Sequence, residues 1–238
     1  MNTDKQKLQK DNYFTYRNIS EKNYKSLLVP PWIEQEIEKK DLKILDYGCG
    51  FGQNLKRLKH NNYNNIYGVD INLQAIESCL NNNLTVKQLN LKDLKNPYDF
   101  KFDVIILTHI IEHIEKSQII STLTLIKKNF LSENGKLLIA VPNAQSNTDC
   151  YWAYEDWTHS TLFTSGSIYY VLKAAGFEKI DFLDVDCTLG NSKLKSIFRK
   201  FFLKLYVTNK IFWNKITNSA YHQQSPQIFS YEIKVKAQ

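Results

Sequence analysis

No part of the 238-residue chain comes near the eighteen or so consecutive apolar residues that a spanning helix needs. The opening Met1-Asn-Thr-Asp-Lys-Gln-Lys is too polar for a secretory leader. These absences predict a cytoplasmic protein. Cysteine is scarce, and the four present (Cys49, Cys79, Cys150, Cys187) show neither disulfide nor metal-ligand spacing, which suits a reducing compartment. Acidic residues are missing altogether between Asp186 and Glu232, where seven cations fall: Lys193, Lys195, Arg199, Lys200, Lys204, Lys210 and Lys215. The net charge of +7 is therefore concentrated late in the chain rather than spread along a groove, which excludes a nucleic-acid-coating protein. A hydrophobic content of 43% and a charged content of 23% are ordinary for a soluble globular chain, and the length suits one sizeable α/β core, or a core with an appendage.

Glycine, by contrast, is concentrated in one stretch, Lys43-Ile-Leu-Asp-Tyr-Gly-Cys-Gly-Phe-Gly-Gln53, completed by Ile66-Tyr-Gly-Val-Asp70. Ile44 and Leu45 read as a buried parallel strand ending at Asp46, and the segment from Asn54 turns helical. Without a Cβ, Gly48, Gly50 and Gly52 let the backbone bend sharply and let a ligand lie directly on the loop. Asp70 then falls at the tip of the next strand, where a carboxylate can accept from both hydroxyls of a ribose. A dinucleotide site wants G-x-G-x-x-G, but its third glycine would be Gln53 or Leu55 here, so that register fails.

The acid followed by G-x-G-x-G resembles motif I of the S-adenosylmethionine (SAM) dependent methyltransferases with a Rossmann-like fold, and the resemblance runs from about Leu42 to Phe177. It implies an α/β fold with a seven-stranded sheet, six strands parallel and the last antiparallel, and helices on both faces. It also implies SAM as cofactor, S-adenosyl-L-homocysteine (SAH) as product, and cofactor contacts at Asp46, Gly48, Cys49, Gly50, Gly52, Asp70 and Ile71. Asn90 and Leu91 stand where the family places an acid and an apolar residue against adenine. The amide oxygen of Asn90 can still accept from the adenine amino group, with Asp93 the alternative acceptor. Neither an Asn-Pro-Pro-Tyr motif of base methylation nor a carboxylate cluster for a metal is present, so no nucleic acid and no metal are expected.

The strand Phe102-Asp-Val-Ile-Ile-Leu107 leads into Thr108-His-Ile-Ile-Glu-His-Ile114, matching the family's active-site strand and its Leu-Glu-His segment. Thr108 and His109 are expected at the methionine end of SAM, with His109 a cofactor contact or base and His113 a structural residue. The order His109-Ile-Ile-Glu112-His113 does not fit a His-Glu-x-x-His metal site. After the fifth strand, Lys136 to Val141, and its Asn143 comes an aromatic and polar loop, Cys150-Tyr-Trp-Ala-Tyr-Glu-Asp-Trp-Thr-His159. His-x-x-x-Phe-Thr from His159 resembles methyltransferases encoded beside glycan-assembly enzymes. The loop is assigned to the acceptor, with His159 the leading base and Tyr151, Trp152, Tyr154, Asp156 and Trp157 as walls, together with Asn143 and the N-terminal Tyr13 and Tyr16.

Three regions are expected: a helical N-terminal cap (1–41), a SAM-binding core (42–186 with 227–238), and a helical insertion (187–226). In the insertion Leu194, Ile197, Phe198, Phe201, Phe202 and Leu205 recur at helical spacing with cations opposite. A helix from about Ser192 to Val207, a shorter one near Ile211 to Ile216, and burial of the apolar stripe as a packed lid are expected. A homodimer contact or an anionic membrane surface touching 192–216 are the alternatives, the last making the protein peripheral at the inner face of the membrane. Phe229-Ser-Tyr-Glu-Ile-Lys-Val-Lys236 alternates as a half-exposed edge strand. The function expected is methyl transfer to an oxygen of a small molecule or saccharide (a sugar nucleotide, phosphorylated metabolite or lipid-linked glycan) in bacterial surface-polysaccharide assembly. N-methyl transfer and a non-catalytic SAM-binding module are the alternatives.

Overall fold

A computed structural model describes residues 13–20, 26–89, 94–149, 151–220 and 226–238. Its centre is a seven-stranded sheet in the order β3-β2-β1-β4-β5-β7-β6. The strands are β1 (Ile44–Tyr47), β2 (Ile66–Asp70), β3 (Val86–Gln88), β4 (Phe102–Thr108), β5 (Leu131–Pro142), β6 (Ile180–Leu183) and β7 (Glu232–Ala237). β7 runs antiparallel to both neighbours and the other pairings are parallel, as the resemblance implied. All four residues of β1 are buried, the signature of a strand covered on both faces.

Alternation along the strands divides the core in two. Ile44, Val104, Ile106 and Leu138 pack with Trp32 and Ile33 of α2 (Pro31–Glu34), Leu55 and Leu58 of α3 (Gln53–His60) and Ile76 of α4 (Leu73–Asn81). Leu45, Ile105, Leu107 and Ile139 face the other way, onto Leu123 and Ile126 of α5 (Ile119–Asn129) and Ile168 and Leu172 of α7 (Ser165–Ala174). The short helices α1 (Tyr13–Tyr16) and α6 (Tyr151–Glu155) lie near the carboxyl ends of the strands. The chain order reverses between β1 and β4, so a crevice opens beyond their carboxyl ends.

The helix after Pro30 closes after one turn, at Glu34. Ser117 lies in a 3-10 turn ahead of α5. β5 begins at Leu131, directly after α5, and a Cβ on Gly135 would lie 2.9 Å from the Phe102 carbonyl. One local expectation needs correcting. The last strand is not an edge, because β6 covers its far side. Its lysines instead pair inward, Lys234 with Asp184 at 2.8 Å and Lys236 with Glu36 at 3.1 Å.

The largest departure is in the insertion. It forms one continuous helix, α8 (Lys193–Ile216), with no buried residue. The apolar residues from Leu194 to Leu205 named above are 50–82% exposed. Helical spacing reports an amphipathic face but not what it faces, which is why the packed lid failed as an expectation.

Candidate active site

The loop between β1 and α3 is built by three glycines at positive φ (80°, 49° and 75° at 48, 50 and 52). A Cβ on Gly48 would lie 2.2 Å from Ile110 Cδ1, so the turn after β4 packs directly on the loop. Asp70 organises it from the other side. One carboxylate oxygen accepts from the Gly50 amide and the other from the Asn72 amide, both at 2.8 Å. Burial raises the Asp70 pKa, with the two amides pulling against that rise. Beneath the loop, Asp46 is fully buried and accepts from Asn54 Nδ2 at 3.2 Å. Burial pushes its pKa up to about 7. Asn54 also approaches Thr108 Oγ1 at 3.5 Å, tying β4 to the same loop. Cys49 is buried and Ile71 half-buried beside these groups, while Asn90, Leu91, Asp93 and Cys150 lie outside the described residues.

Helix α1 covers this loop. Phe14 packs on Phe51 with ring centroids 4.7 Å apart, and its ring edge lies 3.7 Å from where a Gly50 Cβ would stand. Tyr13 donates to Asp156 at 2.9 Å and meets the His113 ring edge-on at 5.7 Å. Asp156 is buried and also takes the Thr158 hydroxyl (2.6 Å) and amide (3.0 Å). Burial raises its pKa, but these donors and the neighbouring His113 outweigh it and hold the group below the usual carboxylate range.

Beside Asp156 stand two histidines whose protonation the hydrogen bonds decide. The Thr158 hydroxyl spends its proton on Asp156, so at His113 Nδ1, 2.8 Å away, it accepts. The Trp152 carbonyl can only accept, so His159 Nδ1, 2.6 Å from it, carries a proton. In the neutral ring each Nδ1–H leaves the lone pair on Nε2. The rings lie 4.7 Å apart, and burial lowers the His113 pKa. Glu112 completes the group: it is fully buried, its Oε1 faces His109 Nδ1 at 3.3 Å, its Oε2 has no hydrogen-bond partner among the described residues, and the ligand atoms of Glu112, His113 and His159 lie within 4.8 Å of one another. The sequence reading missed this cluster. Glu112-His113 was visible as a pair, but only the fold brings His159, 46 positions later, against it.

His109 behaves differently. It sits at φ 55°, with Nε2 2.9 Å from Glu232 and Nδ1 3.3 Å from Glu112. Desolvation opposes its charge, yet the two carboxylates prevail and push its pKa up to about 10. The two carboxylates favour the imidazolium, the form without a lone pair to take a proton. Asn143 needs a correction. It is buried, with its amide nitrogen on the Ile228 and Ser230 carbonyls (2.8 and 2.7 Å) and its oxygen on the Gln145 amide. It fastens the approach to β7 and has no donor left for an acceptor. Trp152 is half-buried, whereas Tyr151, Tyr154, Trp157 and Tyr16 stand on the exposed surface around the cluster. A separate cleft between α2 and β6, lined by Trp32, Gln35, Phe182 and Leu189, shares no residue with this site.

A family model described as "Methyltransferase domain" matches residues 21–181, well over half of the chain. Among solved structures, the fold is similar to a SAM dependent methyltransferase from Archaeoglobus fulgidus, with 20% identity and a TM-score of 0.58 over 95% of this chain and 99% of that one. It is also similar to magnesium protoporphyrin IX methyltransferase from Synechocystis PCC 6803, solved with bound SAH (12% identity, TM-score 0.51, 87% of this chain and 78% of that one). Among curated proteins, ribosomal protein L11 methyltransferase from Paraburkholderia phymatum is 43% identical over 51 residues, 21% of this chain and 17% of the relative. The chain spans less than half the length of the curated relatives it matches.

Proposed function

The chain belongs to this methyltransferase family, and from that premise we propose that it moves the methyl group of SAM to a hydroxyl oxygen of a small-molecule or saccharide acceptor. The observation that carries this reading is His159: a buried imidazole with Nδ1 pinned on the Trp152 carbonyl and Nε2 3.8 Å from Asp156, in the cluster that Tyr13 of α1 joins. The loop residues fit the cofactor. Gly50 leaves bare backbone under Phe14, and Asp70 stands at the tip of β2 with spare lone pairs for a ribose. The bound cofactor supplies a methyl group already activated on a sulfonium.

The chain's own task is then alignment and one proton. Orientation by a rigid loop and a shaped acceptor site can supply roughly 7–11 kcal/mol of the barrier. His159 Nε2 takes the proton of the acceptor hydroxyl, and ionised Asp156, 3.8 Å away, favours the imidazolium that forms. The resemblance of the His159–Thr164 segment to glycan-cluster enzymes supports a saccharide acceptor in bacterial surface-polysaccharide assembly, as a sugar nucleotide, phosphorylated metabolite or lipid-linked glycan.

A second reading rests on Glu112. A buried carboxylate whose Oε2 has no hydrogen-bond partner among the described residues, next to two imidazoles whose Nδ1 atoms are already held, suits a divalent cation that would polarise the acceptor oxygen. A methyl-transfer screen over nucleotide sugars and phosphorylated metabolites, read by mass, tests both. His159→Ala should lower turnover by roughly 100-fold or more while SAM affinity persists. Activity abolished by a chelator and restored by a divalent cation would assign the cluster to a metal. SAM binding without turnover on any acceptor would favour the non-catalytic module, and absence of SAM binding would overturn the proposal.

A further inference from the structure

Helix α8 is built inside out. At 3.6 residues per turn, its half-buried residues Ser196, Leu203, Tyr206, Val207, Lys210 and Asn214 form one stripe, the side turned to the protein. Leu194, Phe198, Phe201, Phe202, Leu205 and Phe212 form another on the opposite side, every one at least half exposed. The helix is firmly made: Ser192 caps it by accepting from the Lys195 amide, and 24 residues give a rod of about 36 Å. Tyr206 anchors it, edge-on to Phe229 at 5.6 Å and hydrogen-bonded to Asn147 at 3.3 Å. A contiguous apolar face of this size on an ordered element marks an interaction surface.

Charge identifies the occupant. Six of the seven cations flank the apolar stripe, Lys210 lying instead on the protein-facing side, and no acidic residue occurs between Asp186 and Glu232. Among them, Arg199 reaches the Cys187 carbonyl and Lys200 lies 3.4 Å from Asp186. A second copy of the helix would bring the same cations against one another without an acid to receive them. No helix among the described residues is long and apolar enough to cross a membrane. An apolar stripe with Lys and Arg along both flanks is the pattern of a helix lying in the plane of an anionic bilayer, its aromatic side in the acyl boundary and its cations at the phosphates.

We propose that α8 docks the protein onto an anionic phospholipid surface. The insertion leaves the carboxyl end of β6 and returns to the start of β7, the end of the sheet that carries Asp46, Asp70 and Thr108. Docking therefore holds the site-bearing end of the sheet at the bilayer. The inference does not rest on the methyl-transfer reading.

Co-sedimentation of the full chain with phosphatidylcholine vesicles, with and without phosphatidylglycerol, tests it. Binding is expected only to the anionic vesicles and should weaken as salt rises. Lys195→Glu with Lys204→Glu should lower partitioning by about tenfold or more. Phe202→Asp should abolish binding and leave the melting temperature unchanged, since that ring is not packed in protein. Absence of binding, or equal binding to neutral vesicles, overturns the proposal. So does a melting temperature lowered by Phe202→Asp, which would mean a buried stripe, or a dimer in sedimentation equilibrium that Phe202→Asp dissociates, which would mean that a second copy covers it.

Discussion

His109 concentrates more constraint than any other residue of the site. It follows β4 directly at φ 55°, a region that costs a non-glycine residue about 1 kcal/mol or more, and two carboxylates hold its ring. Its pKa is near 10 in the folded protein against 6.5 in a free chain. Stability from this pairing is therefore complete below about pH 6.5 and declines as pH rises through 10. Glu232 has the opposite sense: its lowered pKa contributes above its ordinary range and is lost in acid. Replacing Glu232 by Gln should return His109 toward its ordinary range. Urea unfolding at pH 6 and pH 9 should then show a smaller alkaline loss in Glu232→Gln than in the native protein. Equal losses would place the alkaline titration elsewhere. None of this was legible beforehand, because the partner Glu232 is 123 positions away and meets His109 only when β7 pairs with β5.

The glycine loop was legible as an element, because its conformation is written in residue type. Only glycine enters positive φ cheaply, and three at alternate positions announced the turn before any coordinates. What residue type could not show is how tightly β4's following turn closes on it. Gly48→Ala adds a Cβ both into strained backbone and onto Ile110 Cδ1, 2.2 Å away. Left-handed strain alone is worth about 1–2 kcal/mol, and the clash should add to it. The double variant Gly48→Ala, Ile110→Ala should unfold closer to Ile110→Ala than the single glycine change does to native, since the steric part is relieved and the backbone part is not. Additive losses in a double-mutant cycle would show that the two residues do not touch. For α8 the reverse held. Its existence followed from periodicity, but burial is decided by what else occupies the neighbourhood, and no pattern within the helix carries that.

For the whole molecule, the sheet was legible because parallel strands buried on both faces read as unbroken apolar runs, such as Val104-Ile-Ile-Leu107 and Leu137-Leu-Ile-Ala-Val141. The order of β6 and β7 was not, since alternation in β7 describes one exposed face and one buried face whether or not a further strand pairs beyond it. This architecture ties the proposed cofactor site to global stability. Asp46, Asp70 and Thr108 lie at the carboxyl ends of β1, β2 and β4, strands in the middle of the sheet, so the loop cannot open without disturbing the core. A ligand held there binds the folded state alone, and at a hundredfold excess over its Kd adds about 2.7 kcal/mol. With an unfolding entropy of about 2.1 cal/mol/K per residue, that corresponds to a rise in Tm of roughly 5 °C for a chain of this length. SAH should produce this rise. Asp70→Asn, which retains one oxygen for the loop amides and removes the charge offered to the ribose, should bind SAH about tenfold more weakly or worse and lose part of the shift at the same ligand concentration. Calorimetric scans of both proteins with and without SAH measure it, and an undiminished shift in Asp70→Asn would remove the ribose assignment.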